Sequence, residues 1–331
     1  MKNIRKRALG IILAVIITAG IALSTSGCGN NTNTAKKSET VSAKSVSSYT
    51  VTEYPLTRNG IKLHLDCTTL DGKKADKNIL LTHGVTYSSH EFDVDYKDYS
   101  LARFLARNGY AVWKLDIAGF GQSGKVKDGY MPDSDYAAED INAAVNKIVK
   151  KSGQKKIDIL GWSWGTVTAG RYAAKHSEHL NKLVLYAPIL SGLGNYEVNE
   201  DFHHNTWEHA ADDFQRDKKG GFDYKITEPE MIEMFCSSCW HYDEENSPNG
   251  GRRDICVDKS KKLIDLSTIT VPTQVICGGN DPYLNYSLVN SAKKLLPKGS
   301  ETKIIKGGAH VIMYEKPYYH KFQKTLIGFL K

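Results

Sequence analysis

An α/β architecture, a mostly parallel central sheet covered by helices on both faces, is predicted by two features of this 331-residue chain. From Tyr49 onward, short β-like runs alternate with helical runs, the pattern of parallel strands joined by crossover helices. One stretch, residues 191–265, breaks that rhythm between two sheet strands and is read as an inserted cap. The composition agrees. With 40% hydrophobic and 24% charged residues, the chain can bury a sizeable core, which excludes a mainly disordered, collagenous or coiled-coil protein.

The elements follow in order. VTEYPL (51–56) and IKLHLDC (61–67) read as a hairpin across Arg58-Asn59-Gly60, because Asn-Gly suits a two-residue turn. NILLTHG (78–84) is an apolar strand ending in Gly. Residues 100–108 place Leu101, Phe104 and Leu105 on one helical face. AVWKLD (111–116) is a strand, and 134–151 is an amphipathic helix. KIDILGW (156–162) is a strand, and 164–176 is a helix of small residues. KLVLYAP (182–188), TQVICGG (273–279) and TKIIKGG (302–308) are further strands, with helices expected at 287–296 and 318–330.

The N-terminus reads as an export address. Lys2, Arg5, Lys6 and Arg7 precede an apolar run at 8–23, then Ser24-Thr25-Ser26-Gly27 and Cys28. The run is short for a spanning helix. Cys28 after Gly27 resembles the lipobox of bacterial lipoproteins, although Thr25 stands where that motif usually carries Leu. The resemblance implies lipidation of Cys28 and attachment to the outer face of a bacterial membrane; a plain signal peptide on a secreted protein and an uncleaved anchor are the alternatives. Residues 29–48, rich in Asn, Ser, Thr and Lys, read as a disordered tether. The formal charge is +7, and removal of residues 1–28 leaves +3, so charge gives a nucleic-acid partner little support.

The strongest chemical signal is Gly161-Trp162-Ser163-Trp164-Gly165, set between a predicted strand and a predicted helix. G-x-S-x-G in that context is a nucleophile elbow: the turn is sharp, the serine backbone is strained, and the hydroxyl is exposed. A serine hydroxyl is a weak nucleophile and needs a base held by a third group. Asp281 follows the strand TQVICGG and His310 follows TKIIKGG. Adjacent strands would deliver both to the sheet rim that carries the elbow, where open α/β sheets bind ligands. Asp258 and Asp265 are rivals for the acid.

With those residues in view, the chain from about 50 to 331 resembles the α/β-hydrolase family. HGV at 83–85, DIAGFGQSG at 116–124, GWSWG at 161–165, GGNDP at 278–282 and GGAHVIMYEKP at 307–317 carry the resemblance. It implies Ser163 as nucleophile, Asp281 as orienting acid and His310 as base, with backbone N–H groups of Val85 and Trp164 forming an oxyanion hole. It assigns His83, Asp116 and Ser123 structural places, and it requires no metal or organic cofactor. The core is expected at 49–190 and 266–331.

The cap carries −8 and three of the six cysteines. Export favours a disulfide among Cys236, Cys239 and Cys256 over a metal or redox pair. His203, His204 and His209 beside Asp201 and Glu208 read as a solvated acidic face before a metal site. The acidic, aromatic cap is either a lid over an acyl pocket or a selector of cationic substrates, as in aminopeptidase-like relatives. Their usual His-Gly-Gly-Pro-Gly loop is replaced here by HGVTYSSHEF. The expectation is an exported serine hydrolase acting on a small-molecule carboxylic ester. Peptidase, thioesterase, acyltransferase and C–C hydrolase share the same triad, and a binding or sensor lipoprotein on this fold is the non-enzyme alternative.

Overall fold

The computed structural model describes residues 48–331, so the signal segment, Cys28 and nearly all of the tether lie outside the described residues. In chain order these residues form β1 (Tyr49–Glu53), β2 (Leu56–Arg58), β3 (Ile61–Leu63), β4 (Leu65–Leu70), β5 (Lys77–Thr82), α1 (Leu101–Arg107), β6 (Tyr110–Leu115), α2 (Ser134–Ser152), β7 (Ile157–Trp162), α3 (Trp164–Lys175) and β8 (Leu180–Tyr186). Next come β9 (Phe202–His204), α4 (Trp207–Ala210), α5 (Pro229–Asp243), β10 (Asn246–Pro248) and α6 (Gly250–Ile255). The chain closes with β11 (Thr273–Gly278), α7 (Tyr286–Ser291), β12 (Glu301–Ile305) and α8 (Tyr319–Leu330).

Eight strands make the central sheet in the order β1-β4-β6-β5-β7-β8-β11-β12. The β1–β4 and β4–β6 pairs are antiparallel and every later pair is parallel. Parallel strands buried on both faces read as continuous apolar runs, and the pleat sorts them by twos. Leu80, Ile159, Leu183 and Val275 enter one core with α2 and α3. Ile79, Leu81, Leu160, Val184 and Ile276 enter the other with α1 and α8. Helix α2 shows how local sequence sets an element. Asp133 caps it by accepting from the Tyr136 N–H, Lys150 and Lys151 sit in its last turn, and Gly153 ends it at φ 73°.

The hairpin at Asn59-Gly60 is present, with φ 49° and 79° at the two turn residues, but it joins only β2 and β3. The flanking runs part at Tyr54 and His64, and β1 pairs with β4 in the main sheet instead. The helix expected at 287–296 is α-helical only to Ser291, then tightens to a 3-10 turn over Ala292–Lys294.

The segment between β8 and β11 leaves and returns at one place. Ser191 bridges Lys262, the Gly192 N–H donates to the Lys261 carbonyl, and the Leu263 N–H to the Leu190 carbonyl. Its α5 adds Met231 and Phe235, and the segment after α4 adds Phe214, to the α1/α8 core, whereas Ile255 and Leu263 join the α2/α3 core. Asp243, at the end of α5, ties it down. The carboxylate accepts from Ser88 N–H and Oγ at 2.9 Å and from the Gly121 N–H at 2.9 Å.

The predicted disulfide is corrected here: Cys236, Cys239 and Cys256 are free thiols. Cys236 and Cys239 lie one turn apart within α5, buried in the α1/α8 core, while Cys256 packs against the other core. Burial disfavours their thiolates, pushing the Cys236 thiol up to about 12 and that of Cys239 well above its ordinary value.

Candidate active site

Ser163 sits between the last residue of β7 and the first of α3 at φ 56°, ψ −122°, a conformation that a non-glycine residue adopts only under constraint. The flanking glycines make the turn sterically feasible. A Cβ on Gly161 would lie 2.1 Å from the Gly165 carbonyl oxygen, and one on Gly165 would lie 2.2 Å from that of Thr82. The Ser163 N–H donates to the Tyr186 carbonyl at 3.0 Å, and Thr166 donates to the Ser163 carbonyl through N–H (2.9 Å) and Oγ1 (2.6 Å). As the first residue of a helix, Trp164 has no intrahelical acceptor for its N–H. Neither it nor the Val85 N–H has a partner among the described residues.

Asp281 and His310 arrive on loops after the parallel neighbours β11 and β12. Their side chains meet, His310 Nδ1 to Asp281 Oδ2, at 2.8 Å, and both residues are 98% buried. The other Asp281 oxygen accepts from the Tyr283 N–H at 3.0 Å. The loops are pressed together: the Asn280 N–H donates to the Gly308 carbonyl, and a Cβ on Gly278 would stand 2.1 Å from that oxygen. The His310 carbonyl accepts from Trp162 Nε1 (3.1 Å) and Tyr186 Oη (3.0 Å). The preceding Ala309 N–H donates to the Glu315 carboxylate, whose pKa burial raises to about 7. For His310 itself, burial opposes the charged ring, but the Asp281 charge and hydrogen bond outweigh it and the pKa rises. The rivals Asp258 and Asp265 are exposed and cap their own turns at Ser260 and Ser267.

Ser163, His310 and Val85 line one cavity of about 160 Å³. No hydrogen bond joins Ser163 Oγ to His310 among the described residues; in ligand-free sites such bonds are often long. The cavity lining includes apolar Ile189, Leu193 and Ile255 and polar Tyr87, His209, Asp212, Asp213, Arg252 and Tyr283. Glu91 also lines it. Its carboxyl accepts from the Gly84 N–H at 2.7 Å, and burial holds it well above the usual carboxylate range. The structural residues are where the motifs put them. His83 Nε2 accepts from the Ile117 N–H, Ser123 Oγ donates to the Asp116 carbonyl, and Asp116 Oδ1 accepts from Ser89 N–H and Oγ.

Arg252, His209 and Asp213 were not singled out as cavity residues by the sequence, and no periodicity or motif marks them there. Of the cap histidines, His203 and His209 face each other at 4.5 Å between ring centroids. Among the described residues, three potential metal ligands converge at another place, His64, His90 and Asp116. Beside that group, Lys114 and His64 share Asp66 at 3.5 and 3.4 Å.

Sheet order, elbow and strand-end placement together define an α/β-hydrolase fold. Residues 73–317 match the family model described as serine aminopeptidase, S33, and the chain belongs to that family. It is 30% identical over 156 residues to the human serine hydrolase BPHL, covering 46% of each chain. It is 36% identical over 144 residues to gastric triacylglycerol lipase of Mus musculus, covering 39% of this chain and 36% of that one. The chain thus matches less than half the length of either relative. An α/β-hydrolase fold protein from Chitinophaga pinensis superposes with a TM-score of 0.61 at 14% identity, over 85% of this chain and 98% of that one.

Proposed function

We propose that the protein is a serine hydrolase acting on a carboxylic ester through an acyl-enzyme. The observation that carries this reading is the cavity that holds a strained elbow serine beside a buried His310–Asp281 pair. His310 Nε2 takes the Ser163 proton as Oγ attacks the ester carbonyl. Asp281 holds Nδ1 and stabilises the imidazolium. The N–H groups of Val85 and Trp164 bind the oxyanion, aided by the positive end of α3. Collapse releases the alcohol with the proton from His310, and water, activated by the same base, frees the acid.

Labelling with a fluorophosphonate probe tests this. The parent chain should label, and Ser163→Ala and His310→Ala should not. A folded parent that neither labels nor hydrolyses a small ester overturns it. The family match and Asp213 in the cavity favour a second reading, an aminopeptidase whose acid receives the substrate ammonium. Aminoacyl-naphthylamides assayed beside esters separate the two. The proposal places the enzyme outside a bacterial cell, anchored through Cys28. Cys28→Ala should then move it from the membrane to the soluble fraction.

A further inference from the structure

We propose that Arg252 is the anion-recognising group of the Ser163 cavity, and that the substrate carries a carboxylate close to the bond that is cleaved. The inference rests on the esterase reading for the bond, but not for the anion site. Arg252 projects from α6 into the cavity that Ser163 and His310 line. Its Nη1 donates to Asn249 Oδ1 and its Nη2 to Thr86 Oγ1, each at 2.7 Å. Both acceptors are neutral. Four arginines among the described residues are partly buried, Arg58, Arg103, Arg171 and Arg252. The first three each have a carboxylate within ion-pair distance, to Asp140, Asp93 and Asp135 respectively, and Arg252 has none.

A guanidinium removed from water without a counter-charge is costly, and it is retained where something else supplies the charge. Arg252 has five N–H donors and uses two, so a fork remains for a planar anion. A carboxylate matches that geometry better than a hydroxyl or a carbonyl. Burial also pulls the Arg252 pKa down, to about 10, as expected of a cation whose partner has yet to arrive.

The position sets the distance. Thr86, which receives Arg252, directly follows Val85, the proposed oxyanion donor, and this adjacency puts the proposed anion near the carbonyl under attack. The acidic residues of the same cavity, Glu91, Asp212 and Asp213, form no ion pair with Arg252 among the described residues. Asp213 is hydrogen-bonded by Tyr283, and burial raises its pKa. The backbone explains how a long cationic chain reaches this spot. Gly251, its neighbour, lies against the Trp164 indole, where a Cβ would stand 2.4 Å from the ring. Helix α6 is thereby pressed onto the elbow itself.

Three methyl esters of similar shape test the proposal on the full chain: monomethyl glutarate (anionic), methyl 5-methylhexanoate (neutral) and methyl 6-aminohexanoate (cationic). The expected kcat/KM for the anionic ester exceeds that for the neutral one at least tenfold. In Arg252→Gln that ratio falls at least tenfold, chiefly through KM, and Arg252→Lys recovers part of it. Calorimetry of glutarate binding to Ser163→Ala gives an independent readout, repeated with the Arg252→Lys and Arg252→Gln substitutions added. If no ester is hydrolysed but glutarate binds in an Arg252-dependent way, the anion site stands and the esterase reading fails. A preference for the neutral or cationic ester, a ratio unmoved by Arg252→Gln, or glutarate binding absent or independent of Arg252 overturns the proposal. Should Arg252→Gln lose its folding transition, the Arg252→Lys ratio and binding decide by the same criteria.

Discussion

Replacing Asp281 by Asn isolates what the acid contributes beyond shape. Asn keeps the size of the side chain and one oxygen, but it removes the charge 2.8 Å from His310 Nδ1. Two effects follow. The imidazolium formed during attack loses its counter-charge where little solvent is available to replace it, since both residues are 98% buried. The amide also holds the imidazole in the wrong tautomer when its NH₂ faces Nδ1. Together these cost about 10³–10⁴ in kcat, or about 4–5.5 kcal/mol of transition-state stabilisation. The pH profile carries a sign. Burial alone lowers the His310 pKa, and Asp281 reverses this so that the net shift is upward. In the proposed mechanism neutral His310 is the base, so parent kcat/KM should rise with pH through a midpoint above 6.5. Without the Asp281 charge only the burial effect remains strong, and the residual activity of Asp281→Asn should rise through a midpoint below 6.5. A stopped assay with a small ester from pH 4.5 to 9 reads both. A variant within tenfold of the parent, or with an unmoved acid limb, would refute the reasoning.

Two further outcomes are expected. Gly165→Ala puts a methyl 2.2 Å from the Thr82 carbonyl oxygen, so α3 must move off β5. This should cost about 3 kcal/mol and lower Tm by about 5–10 °C, whereas Gly328→Ala, in an open place on α8, should raise Tm slightly. Equal Tm values for the two variants would contradict the elbow geometry. In the native protein, Cys236 and Cys239 should resist a thiol reagent that reacts with them after denaturation, and a phosphine reductant should leave Tm unchanged. A reductant-sensitive Tm would restore the disulfide.

The middle of the sheet was legible because its buried strands announce themselves twice. Runs such as IDIL and KLVLY are apolar enough to be buried on both faces, and each ends in residues that must turn. The elbow was legible for a harder reason. Ser163 at φ 56° needs glycines at 161 and 165, where a Cβ would meet backbone oxygen on each side, and that requirement is written as a pattern five residues long. Asp281 and His310 were singled out by strand ends together with the chain order serine, acid, histidine. The cysteines misled because their spacing says nothing about burial. Cys236-x-x-Cys239 is one turn of a helix packed into an apolar core, and Cys256 belongs to a different core.

The cavity lining was illegible for a reason that also bears on specificity. Arg252 comes near Ser163 through contacts that are individually ordinary and have no fixed sequence spacing. Gly250 lies where a Cβ would strike the Tyr130 and Pro132 carbonyls, and Gly251 against the indole of Trp164. That indole donates to Ser134 Oγ at 2.9 Å, and the Ser134 N–H donates to Asp254 at 2.9 Å. One end of α2, the elbow and α6 therefore form one closed set of contacts. Asp243 fastens α5 to the Ser88 and Gly121 loops in the same manner. A substitution at Gly251 would displace Trp164, whose N–H is the proposed oxyanion donor, and Arg252, the proposed substrate anchor, together. Gly251→Ala should thus lower turnover of neutral and anionic esters alike, whereas Arg252→Gln should separate them. If Arg252 is the substrate anchor, substrate choice is built onto the nucleophile turn rather than onto a lid that opens independently of it.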